Sequence, residues 1–109
     1  MTLKERLDNA FVVAIDMDNT ICRGDHYTPE ECIRAVPDMN MISIVNKLSD
    51  RKYIIIYTAR KYKLAEDTLK WLDKWNVRYN AISFRKTNTD IYIDDRAFRP
   101  EELKEVMEE

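Results

Sequence analysis

The sequence predicts a single α/β domain, an open and mainly parallel sheet of about four strands flanked by helices. Three observations carry this. Two apolar runs, Phe11–Ile15 and Tyr53–Tyr57, are continuous rather than alternating and read as strands buried on both faces of a parallel sheet. Hydrophobic residues at helical spacing fill the stretches between the apolar runs. The length, 109 residues, suits one core and not two.

Taken in order, residues 1–9 form a short polar lead-in with a helical turn, and Phe11–Ile15 is the first strand. Pro37 suits the first position of a helix, and Met41, Ile44, Val45 and Leu48 follow it on one face. Tyr53–Tyr57 is the second strand. Leu64, Thr68, Leu69, Trp71, Leu72 and Trp75 make a second helical face, with the tryptophans read as core or interface aromatics. Ala81–Phe84 is a weaker third strand and Ile91–Ile93 a short fourth. The last ten residues, 100–109, open on Pro-Glu-Glu and suit a helix with Leu103, Val106 and Met107 on one side. This β-α-β-α-β-β-α order implies right-handed crossovers. No repeat, low-complexity tract or linker divides the chain, so residues 1–109 read as one domain.

Composition excludes several chemistries. Gly24 is the only glycine, which removes the Walker loop and the G-x-G-x-x-G fingerprint. His26 is the only histidine, which removes H-E-x-x-H zinc sites and all-histidine cages. No G-x-S-x-G elbow is present. Cys22 and Cys32 have no second pair and read as reduced thiols of a cytoplasmic protein. A net charge of -2 does not favour a nucleic acid partner. No apolar run approaches the roughly 20 residues of a membrane helix, and the charged N-terminus has no signal-peptide core.

In open α/β sheets the ligand sits outside the carboxyl ends of the strands. There the sequence places Asp16, Asp18, Asn19 and Thr20, then Thr58 and Arg60, then Arg85 and Lys86, and last Asp94, Asp95 and Arg96. Asp16 and Asp18 are two apart and share a direction in extended chain. So many acids at one rim are costly without a cation. An oxygen-only ligand set suits a hard ion, Mg²⁺ above all. Thr58 and Lys86 are suited to a phosphate, as hydroxyl donor and point charge. A carboxylate beside such a site can act as nucleophile, and a second as acid and then base.

Asp16–Thr20, after an apolar strand, resembles the first (DxDxT) motif of the haloacid dehalogenase-like (HAD) superfamily of phosphatases. Thr58 resembles its second motif, Lys86 its third, and Asp94 with Asp95 its acidic fourth. The segments Tyr57–Arg60, Phe84–Lys86 and Asp90–Arg96 are similar to small capless members found with capsule or surface-sugar genes. A response-regulator receiver uses similar residues, but its lysine comes last; here the paired acids follow Lys86.

The resemblance implies a small Rossmann-like HAD fold without a cap domain, and a mechanism. Asp16 attacks phosphorus and is phosphorylated, while Asp18 protonates the leaving oxygen and then activates water. Thr58 and Lys86 hold phosphoryl oxygens, with Asn19 beside them. Mg²⁺ is held by Asp16, the backbone carbonyl of Asp18 and Asp95, with Asp94 as the neighbouring acid. Asn19 stands where the family often has glycine, and asparagine tolerates unusual backbone angles better than most residues. Arg85 and Thr87 flank Lys86 where the subgroup often has Gly and Pro.

Residues 22–36 are the expected specificity element, with His26, Tyr27 and Arg34 in it; Arg60 and Arg85 are further candidates for substrate contact. The expected substrate is a small phosphorylated molecule, a sugar or polyol phosphate first. A nucleotidase or polynucleotide 3′-phosphatase is the alternative. A rival of another class is a non-catalytic module that binds Mg²⁺ or phosphate. The family's fifth strand is not expected here, and the edge this exposes would favour assembly, including a homo-oligomer.

Overall fold

The computed structural model describes residues 2–84 and 99–108. Three strands, β1 (Val12–Asp16), β2 (Tyr53–Tyr57) and β3 (Ala81–Ser83), form a parallel sheet in the order β1-β2-β3. Around it lie α1 (Leu3–Asn9), α2 (Pro29–Ile33), α3 (Met39–Ser49), α4 (Ala65–Lys74) and α5 (Pro100–Glu108); a 3₁₀ turn, Tyr62–Leu64, leads into α4. The predicted α/β class and parallel sheet are therefore present, with three strands among the described residues. The expected fourth strand, Ile91–Ile93, lies outside them. Among the described residues no helix is long and apolar enough to cross a membrane.

The register explains the core. Ile15 stands opposite Ile56, and Ile56 opposite Ile82, so these side chains share one face of the sheet. Ile15, Ile54 and Ile56 are buried there with Met41, Val45 and Leu48 of α3, Trp71 and Leu72 of α4, and Leu103 of α5. The expectation that β1 buries both faces is not met, because Val12 and Ala14, on its other face, are exposed. Leu69 is exposed as well, unlike the other residues of the predicted α4 face. On α4 it lies about 100° from Thr68 and about 160° from Trp71, turned off that stripe.

The helix ends show the remaining differences. The lead-in is a helix, α1, capped by the Thr2 hydroxyl and anchored by buried Leu7. Lys52 Nζ donates to Leu7 O at 2.7 Å and also to Ala10 O, closing the carbonyl end of α1. Pro37 is not the first residue of α3. Asp38 caps α3 by accepting from Met41 N at 3.0 Å, and Pro37 lies just before it. Within residues 22–36, the expected specificity element, lies α2, opened by a capping box of Thr28 and Glu31 with Pro29 at the first position. Asn76 ends α4 at φ 54° in a Schellman arrangement, with Val77 N donating to Leu72 O and Asn76 N to Asp73 O.

Candidate functional site

Asp16, Tyr57 and Ser83 are in register, so the carboxyl ends of the three strands lie side by side. This brings the residues after β1 next to those after β2. Asp16 ends β1, half-buried, and one of its oxygens accepts from Met17 N at 2.7 Å. Met17 is fully buried and fixes the strand end. Its carbonyl accepts from Thr20 N and Ile21 N, which folds the chain into a tight turn.

Asn19 turns that corner at φ 63°, a left-handed conformation that asparagine tolerates and that glycine usually fills. Its side chain holds the turn together. Nδ2 donates to Asp25 at 2.9 Å, and Oδ1 accepts from Gly24 N at 3.1 Å. Gly24 itself has φ 76°. The loop folds back, and His26 Nδ1 reaches the Asp18 carboxylate at 2.7 Å.

Asp18 is the hub. Arg60 grips it with both arms, Nε to Oδ2 at 3.1 Å and Nη2 to Oδ1 at 2.7 Å. The Cys22 thiol also points at Oδ1, at 3.5 Å. Burial pushes the Asp18 carboxyl up, but the Arg60 and His26 hydrogen bonds outweigh it and hold the group below its ordinary range. The Cys22 thiol is pushed up to about 12 by burial and by the Asp18 charge.

Arg60 was expected at the rim as a substrate contact. Its guanidinium instead faces inward, 1% exposed, and Nη1 donates to buried Thr68 of α4 at 2.9 Å. Lys61 and Lys63, next in the chain, are exposed. Thr58 is buried, and its hydroxyl accepts from Arg60 N at 3.1 Å, which leaves the hydroxyl proton to donate. Tyr27 and Arg34 are exposed, whereas His26 is turned inward. Trp71 belongs to the core, donating to Ala35 O at 2.9 Å. Arg85, Lys86, Asp94, Asp95 and Arg96 lie outside the described residues.

Two features could be mistaken for the site. Asp18, Cys22 and His26 offer ligand atoms within 4.8 Å of one another. The Arg60 guanidinium sits among them, 2.7 Å from Asp18, 3.4 Å from His26 and 3.7 Å from Cys22, so the place of a cation is already taken. The donors at the end of β1, the Asp16 carboxylate and the Asp18 backbone carbonyl, are oxygens of the kind a hard cation takes. A groove of about 400 Å³ lies between Asn46, Asp50, Trp75 and Arg78. These residues precede β2 and β3, at the end of the sheet opposite the acids.

No family model matches this chain, and no curated protein matches it. A target protein from Vibrio cholerae, known as a crystal structure, is similar to it with a TM-score of 0.72. Identity is 24%, covering 90% of this chain and 94% of that one. The likeness is one of fold.

Proposed function

We propose that this protein is a Mg²⁺-dependent phosphomonoesterase of the HAD type, working through an aspartyl-phosphate on Asp16. The observation that carries this reading is the side-by-side placement of Asp16, Asp18 and Thr58 at the ends of two adjacent parallel strands. The left-handed turn at Asn19 supports it, because it folds the chain back directly after the second acid.

Asp16 attacks phosphorus, and the bond to the leaving oxygen breaks as the new P–O bond forms. Asp18 gives that oxygen a proton, then takes one from the water that cleaves the aspartyl-phosphate. Of its two oxygens, Oδ1 has the shortest contacts, to Arg60 and His26 at 2.7 Å; Oδ2 has only Arg60 Nε at 3.1 Å among the described residues. Oδ2 is therefore the oxygen that carries the proton. Thr58 donates its hydroxyl proton to a phosphoryl oxygen, and Lys86 adds its charge. When bound, Mg²⁺ would be held by Asp16, the Asp18 carbonyl and Asp95, and would neutralise charge on the phosphoryl group.

The resemblance to the small capless members favours a sugar or polyol phosphate as substrate, with a nucleotide or a polynucleotide 3′-phosphate as the alternative. One observation favours a second reading, a non-catalytic phosphate-binding or assembly module: the Asp18 carboxylate is already engaged by Arg60 and His26. Phosphate release from a broad panel of phosphomonoesters separates the two. Turnover that needs Mg²⁺ and disappears in Asp16→Asn supports the enzyme. Equal inactivity of both folded proteins supports the module.

A further inference from the structure

We infer that His26 is a positioning residue, which acts through Nδ1 to fix the Asp18 carboxylate for proton transfer. The inference rests on the phosphatase reading and deepens it. Three features of the structure lead to it.

First, His26 Nδ1 and Asp18 Oδ1 are 2.7 Å apart, so one of them must carry the proton between them. Asp18 Oδ1 already accepts from Arg60 Nη2 at 2.7 Å and faces His26 as an acceptor too, while the proton that Asp18 transfers belongs to Oδ2. The proton is therefore on Nδ1. A neutral His26 is then the Nδ1–H tautomer, with its lone pair on Nε2. The 3.4 Å approach of Arg60 Nη2 to Nδ1 is a contact of two donors on one acceptor, not a hydrogen bond between them.

Second, the intervening loop is built to deliver this ring. Asn19 and Gly24 both take positive φ, and the Asn19 side chain ties Asp25 and Gly24 back to the turn. His26 follows directly, and its side chain is 10% exposed. Third, Arg60 and His26 approach the carboxylate from different parts of the chain, after β2 and after the β1 turn. Together they leave Oδ2 the freer oxygen. Removing His26 leaves Arg60 and the more distant Cys22 thiol to set the carboxylate's rotation among the described residues, and a rotation about Cβ–Cγ turns Oδ2 off the line of proton transfer.

The test uses three variants and one spectrum. In asparagine the amide nitrogen is bonded to Cγ, as Nδ1 is, so His26→Asn can still donate to Asp18. Glutamine places its nitrogen one bond further, nearer the position of Nε2. Acting through Nδ1 predicts that His26→Ala and His26→Gln lower kcat on the order of 10- to 100-fold with KM nearly unchanged, and that His26→Asn restores most of it. The long-range proton–nitrogen spectrum of the wild type should show the Nδ1–H tautomer or a doubly protonated ring, and Asp18→Asn should change it. An Nε2–H tautomer in the wild type overturns the inference, whatever the variants do. So does a kcat that is equal in the Ala, Gln and Asn variants. A wild type without turnover, but with the Nδ1–H signature, overturns the phosphatase reading and the catalytic role while leaving the contact itself established.

Discussion

Replacing Arg60 by methionine removes the charge that pairs with Asp18 and keeps most of the side chain's volume. Removing one partner of a buried pair costs about 3–5 kcal/mol, because the other charge is left without compensation. The Asp18 side chain is 17% exposed and keeps its contact to His26, so the lower end applies, about 3 kcal/mol. For a domain of this length that is a fall in Tm of about 12 °C. Urea denaturation of the wild type, Arg60→Met, Asp18→Asn and the double variant completes a cycle. The double variant should recover part of the loss, with a coupling of about 2 kcal/mol, since it leaves no unpaired charge. The pH dependence follows from the same pair. The Asp18 carboxyl is held below its ordinary value of 3.8 in the folded protein. Its contribution is therefore full above that value and is lost as pH falls through the folded pKa. The wild type should lose this stability in acid, and Arg60→Met should show a flatter profile there. A loss under about 0.5 kcal/mol for Arg60→Met, or strict additivity in the cycle, would refute the reasoning.

Three further outcomes follow from the structure. Asn76→Gly should be neutral or slightly stabilising, while Asn76→Val should cost about 1–2 kcal/mol, because φ 54° is strained for a β-branched residue; thermal melts decide it. Lys52→Met removes the cation that closes the end of α1 and should raise amide exchange in residues 3–10 without comparable change in β2. Cys22, buried and with its thiol pushed up to about 12, should resist a thiol reagent at pH 8 in the folded protein and react once it is denatured; rapid labelling under native conditions would contradict its placement.

β1 and β2 were legible because each rests on a continuous apolar run, and β2 begins and ends where its run does. The rim was legible for a related reason: in a parallel sheet the residues after each strand meet at one edge, so strand positions alone bring Asp16, Asp18 and Thr58 together. Asn19 was legible as a residue that tolerates unusual backbone angles where the family often has glycine, and it takes one. The inward turn of Arg60 was not. It depends on the β1–β2 register, which sets residues following Asp16 beside those following Tyr57, and no local pattern encodes that. The His26 contact depends on two left-handed residues that reverse the loop. A signal for α2 did exist, in Thr28, Pro29 and Glu31, but five residues are too few to show a hydrophobic period. Asp38 also fits a cap by residue type, and the adjacent proline obscured it.

The most direct test of the central claim is a trapped phosphoenzyme. The wild type is mixed with Mg²⁺ and the best phosphomonoester of the panel, quenched in acid and digested. A phosphoryl group on the peptide containing Asp16, labile to hydroxylamine and missing in Asp16→Asn, is the predicted result. Phosphate release without any covalent adduct on that peptide, or an adduct that persists in Asp16→Asn, would contradict the account.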